Sequence, residues 1–139
     1  MRNLAYYVIV TLIGAVGAVA IAWSSCSELC KQMTTMNYEV KVFIDPGLSH
    51  PELNAETLTH VEKMRLAAVA ARDLIPEKAA GNLRLTAEYQ ADIDLLISQI
   101  MKMGEALAKN DNVAAIRFLN DIKSLKLEGH GKFKPATIN

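Results

Sequence analysis

"TAEYQADIDLLISQIMKMGEALAKNDNVAAIRFLNDIKSL", residues 86–125, decides the fold. Tyr89, Ile93, Leu96/Ile97, Ile100, Met103/Gly104 and Leu107 recur at alternating steps of three and four, the spacing of one apolar helix face. Asp92, Lys102 and Glu105 take the opposite face, and Thr86 stands at the cap position. The four residues "KNDN" that follow are too few for anything but an antiparallel return. A second helix then runs from about Val113 to Leu127, with Ile116, Leu119, Ile122 and Leu125/Lys126 facing in. The stretch is a helical hairpin.

Working back toward the N-terminus, "NAETLTHVEKMRLAAVAARDLI", residues 54–75, repeats the pattern with Leu58, Val61, Met64, Ala68, Ala71 and Leu74/Ile75. Asn54 can cap its start, Pro76 and Gly81 end it, and His60 falls on its polar side, toward solvent. Residues 24–44 are less regular. "SELCKQMTTM" has helical character, whereas the β-branched "NYEVKVFI" would also suit a strand. A single strand has nothing to pair with among three helices, so 24–44 is taken as a first helix, closed by the loop "DPGLSHP". The expected fold class is all-α: an antiparallel, up-down four-helix bundle over residues 24–139.

An N-terminal segment, residues 1–23, precedes this bundle. Leu4 to Trp23 is a run of 20 residues without a charge, and as a helix it matches the hydrocarbon thickness of a bilayer. Tyr6, Tyr7 and Trp23 lie near its ends, as membrane-interface aromatics do. A cleaved signal is the rival reading, because Ala18-Val19-Ala20 and Ala20-Ile21-Ala22 fit the small-x-small rule. Either way the positively charged start stays inside and the bundle is exported. It would sit on the periplasmic side of the bacterial inner membrane, held through residues 4–23, or be soluble in the periplasm if residues 1–22 are removed.

Composition narrows the function. Lys+Arg and Asp+Glu both number 15, so no basic excess invites nucleic acid. There is no glycine-rich phosphate loop, no metal-spaced His/Cys cluster and no nucleophile–base set, so nothing points to an enzyme. Cys26 and Cys30, in "CSELC", lie four apart. On a helix their Cβ vectors run parallel, which disfavours a mutual disulfide and favours two small residues on a buried stripe. Bridging to another chain in an oxidising compartment is the alternative. Six methionines suit core filling as readily as ligation.

Residues 62–134 resemble the cytochrome b562 family of periplasmic four-helix-bundle proteins. The resemblance is carried by "EKMRLAAVAARDLIP" and by "DIDLLISQIMKMGEALAKNDNVAAIRFLNDIKSL", together with the distance onward to His130. It implies a non-covalent haem b whose iron is held by a histidine near the end of the last helix and a methionine on the first. His130 falls at the position of that histidine. The methionine would be Met36 or, failing that, Met33. Tyr89 and Ile93 would lie where the family packs bulky groups against the porphyrin, with Lys126 and Lys134 available to the propionates. A thioether and an imidazole on opposite sides of the iron favour the reduced state and leave no position for substrate, so the protein would carry single electrons, to a redox partner, and catalyse nothing.

One departure stands at the ligand itself. Gly129 and Gly131 flank His130 in "SLKLEGHGKFK", residues 124–134, where the family keeps its histidine inside a continuous helix. Each glycine costs about 1 kcal/mol of helix relative to alanine. The same letters describe a helix stop, a glycine cap and a solvated tail. If the tail reading held, the chain would be a haem-free, membrane-anchored accessory subunit or interaction module of the cell envelope.

Overall fold

The computed structural model describes residues 26–133, so the apolar segment 4–23 and Lys134 lie outside the described residues. Four long helical rods make up this part, and it contains no strand. α1 (Glu28–Tyr38) continues through a π-helical stretch, Glu39–Ile44, into one last turn, Asp45–Gly47. α2 is Asn54–Arg72, α3 is Leu83–Ala108 and α4 is Asn112–Phe133. α1 packs on α2, α2 on α3 and α3 on α4. Among the described residues no helix is long and apolar enough to cross a membrane.

The helix faces follow the apolar spacing closely in α2 and α3. Val61, Met64, Ala68 and Ala71 are buried on α2, and Tyr89, Ile93, Ile100, Met103 and Leu107 on α3. In α4 Leu119 and Ile122 are buried as expected, but at the start of the helix Ala115 is buried in place of Ile116, which is exposed. An alanine carried the stripe there, and a periodicity that counts only large residues passes over it.

"NYEVKVFI" is helical, with a wider pitch. Pro46 has no N–H to offer the Val42 carbonyl and its ring crowds that carbonyl, so the α ladder cannot continue unchanged. The backbone shifts to π spacing, and the Asp45 N–H donates to the Val40 carbonyl. Helical structure therefore extends to Gly47, and the loop shrinks to the residues around Ser49 and His50. Gly47 permits the close approach of α1 to α2, because a Cβ there would overlap the Thr57 hydroxyl oxygen.

The expected caps move as well. Asn54 is a buried first-turn residue of α2 whose side chain reaches across the bundle. Its amide donates to Asn112 Oδ1 at 2.8 Å and to Asn110 Oδ1 at 3.2 Å. Asn112 Nδ2 donates back to Asn54 Oδ1 at 3.0 Å and to the Leu48 carbonyl at 2.9 Å. This knot ties the α1–α2 loop to the α3–α4 turn and seals one end of the bundle. In that turn Asn110 adopts a left-handed conformation (φ 56°), with Asp111 N–H donating to the Ala106 carbonyl and Asn110 N–H to that of Leu107. α3 starts earlier than Thr86, at Leu83, where the Asn82 side chain accepts from the Leu85 N–H. Thr86 instead donates its hydroxyl to the Ala79 carbonyl.

Cys26 and Cys30 are joined by a disulfide, contrary to the buried-stripe expectation. The parallel-vector objection assumed that both residues are helical. Ser27 is the N-cap (ψ 164°), so Cys26 lies outside the helix and turns back over its first turn, with a Cα–Cα distance of 5.4 Å.

The tight α1–α2 crossing gives a direct check. Gly47→Ala should lower unfolding stability by about 1–3 kcal/mol, because the added methyl must displace Thr57. Denaturant melts of the two proteins measure this, and unchanged midpoints would contradict the crossing.

Candidate functional site

The end of the bundle opposite the asparagine knot gathers the start of α1, the loop between α2 and α3, and the end of α4. A small apolar cluster of Ala79, Tyr89, Ile93 and Phe133 fills it, and Leu29 and Met33 of α1 pack against it.

α4 does not stop at the glycines. It runs through Gly129, His130 and Gly131 to Phe133, which corrects the tail reading. Two glycines at about 1 kcal/mol each argue against this helix, and local interactions offset them. Phe133 is 8 % exposed and meets Tyr89 edge-on, with ring centroids 5.4 Å apart. Burying a ring of this size is worth about 1.5–3 kcal/mol. Lys132 lies 3.0 Å from Asp92 and 3.8 Å from Glu88 on α3. Tyr89 is itself pinned, since its hydroxyl donates to the Ala71 carbonyl at 2.6 Å. Burial pushes the Tyr89 phenol up to about 12. Its hydroxyl therefore fastens α3 to the end of α2, and its ring supports the turn that carries His130.

His130 itself is exposed. It shares a face of α4 with Lys126, one turn earlier. Lys126 Nζ donates to Asn37 Oδ1 on α1 at 2.7 Å, and Lys123 reaches Asp45 at 2.8 Å, so this face looks toward α1. α1 and α4 are antiparallel, and lysine side chains lean toward the start of their own helix. Met33 lies one turn from Asn37 on α1, toward the open end. Met36 lies deeper, 6 % exposed and packed in the main core with Val61, Met64 and their neighbours. Met33 is only half-buried and touches both clusters.

A Cβ added at Gly129 or Gly131 would meet nothing within 4 Å, so neither glycine is required by close packing. Imidazole and thioether are the donor types that suit haem iron in electron carriers. The described residues hold no group of three or more His, Cys, Asp or Glu side chains arranged for a bare metal ion.

The model of the cytochrome b562 family matches residues 28–134. The chain belongs to the cytochrome b562 family. No curated protein and no solved structure matches it. The match spans all four rods, including the first helix, where "NYEVKVFI" made the pattern hard to follow by eye. It also extends past His130, in keeping with an unbroken α4. Family members of this b562 type are haem proteins, and the chain is b562-like at that level.

His60 lies elsewhere and is buried, not solvated. Its Nδ1 is 2.6 Å from Glu39 Oε2, and the Phe43 ring stacks on it with centroids 3.7 Å apart and planes 7° from parallel. The π stretch carries both partners over what looked like the polar flank of α2. No spacing within α2 itself could show this, because the partners come from another helix.

Tyr89 makes a pH prediction with a definite sign. Its folded pKa stands above the ordinary tyrosine value of 10, so the stability from the neutral, buried phenol is complete below pH about 10. It is lost as pH rises from about 10 toward about 12. Denaturant melts across that range should show this loss in the native chain and a smaller one in Tyr89→Phe. Equal losses would contradict the buried hydroxyl.

Proposed function

We propose that this chain binds one non-covalent haem b between the start of α1 and the end of α4, with Met33 and His130 as axial ligands, and carries single electrons. The observation that carries the reading is the unbroken helix through His130, ending on the apolar cluster against which the half-buried Met33 of α1 also packs. Bound haem would supply a one-electron iron couple, and the Met33 thioether and His130 imidazole would hold it. The chain's own residues do the rest. Phe133 and Tyr89 hold the imidazole turn in place, Ile93 and Leu29 keep water from the ring face, and Lys126 sits one turn from His130, within reach of a propionate.

Met33 takes the place of the first-named Met36 because ligation needs a side chain that can leave its packing at little cost. Met36 fills the core, and withdrawing it would open a cavity. The exported location is part of the same proposal. It is supported by the charge-free run at residues 4–23 and by the Cys26–Cys30 disulfide, which persists in oxidising compartments. A membrane tether through 4–23 and a redox partner docking at the exposed haem edge complete the reading.

Titration of the full chain with haemin tests it. The native protein should develop a sharp Soret band that shifts on reduction. His130→Ala should lose it while remaining helical, and Met33→Ala should lose the low-spin character of the reduced spectrum. Met36→Ala should keep the ligation and lose about 2–5 kcal/mol of stability. A native chain that takes up no haemin would overturn the reading and leave the haem-free accessory module. Loss of low-spin character in Met36→Ala alone would move the ligand back to Met36.

A further inference from the structure

Among the described residues the disulfide is a reactive group that the haem reading leaves without a chemical role, and its placement is unusual for a structural staple. It joins Cys26 to Cys30 across the N-cap of α1, closing a loop with only three residues between the partners. So short a loop removes little freedom from an unfolded chain, and its stabilising effect stays local. Cys30 is exposed and Cys26 half-buried, so reductants can reach the bond. Cys30 is the third residue of the helix, where its backbone N–H donates to Ser27 Oγ at 3.1 Å. A thiolate at that place sits at the positive end of the α1 dipole and is stabilised as a leaving group. Met33 follows three residues later on the same helix, one turn along.

We propose that Cys26–Cys30 is a thiol–disulfide exchange site, opened by a dithiol or glutathione-class reductant, whose state sets the order of the α1 turn that carries Met33. The thiolate of the reductant attacks Cys26 Sγ, the S–S bond breaks, and the electron pair leaves on Cys30 Sγ. A second reductant thiolate then displaces Cys26 from the mixed disulfide. The reductant ends as a disulfide, and the two cysteines gain two electrons and two protons. With the bond open, the first turn of α1 loses its covalent tie and keeps the Ser27 cap, the Lys31 N–H bond to the Ser27 carbonyl, the exposed Lys31–Glu28 pair and the packing of Leu29. Fraying there reaches Leu29 and then Met33. The consequence for haem rests on Met33 being the iron ligand, whereas the exchange chemistry and the fraying do not.

The test therefore uses the haem-free full chain first. Native protein is equilibrated with glutathione buffer, alkylated and weighed, and the amide hydrogen exchange of residues 28–36 is followed in parallel. The expected result is two alkylated thiols per folded chain and exchange on the order of tenfold faster, confined to the first turns of α1. The double variant Cys26→Ser, Cys30→Ser should show the same local rise without any reductant. A bond that stays closed until the chain is unfolded would overturn the proposal, and so would opening without a change in exchange or with a rise over the whole bundle. Haem-loaded Met33→Ala separates the two readings. If that variant keeps a native spectrum, the ligand assignment fails, whatever the cysteines do.

Discussion

Edge-on packing of Phe133 against Tyr89 is the contact on which the functional end of this bundle depends. Without it, two glycines would end α4 before His130, and the histidine would belong to a tail. With it, the last turn is held by a buried ring on one side and the Lys132–Asp92 pair on the other. Tyr89 passes the load on, since its hydroxyl is fastened to the Ala71 carbonyl. The chain of contacts runs from α4 through α3 to α2, so a locally weak helix is stabilised by tertiary packing, as most protein helices are.

The two ends of the bundle are built differently. At one, Asn54 and Asn112 exchange hydrogen bonds and bind the neighbouring loops together. At the other, the side chains are apolar and the glycines beside His130 are bare. The buried Glu39–His60 contact and the π stretch lie between the two ends and lock α1 against α2 below the level of Met33.

Much of this was legible in the residues. The faces of α2 and α3 could be read from large apolar side chains at helical spacing, and the short "KNDN" turn required an antiparallel return. What escaped was of another kind. His60 was placed in solvent because its partners, Glu39 and Phe43, come from a different helix. The disulfide was discounted because Cys26 was assumed helical, when Ser27 caps the helix after it. Asn54 and Thr86 have capping chemistry, yet their side chains are spent on tertiary and loop contacts. The glycines suggested a stop, and Phe133, three residues beyond His130, was the clue that the helix continues. For the methionines, spacing could not separate Met33 from Met36. Burial distinguishes them only by place, Met36 in the core and Met33 at its margin.

The pairing of Met33 with His130 across α1 and α4 is tested most directly by methyl NMR of the haem-loaded, reduced protein with its methionine methyl groups isotopically labelled. Ring current should move one methionine methyl far upfield, and that resonance should vanish in Met33→Leu and persist in Met36→Leu. An upfield methyl that belongs to Met36, or none at all in a chain that has bound haem, would contradict the pairing.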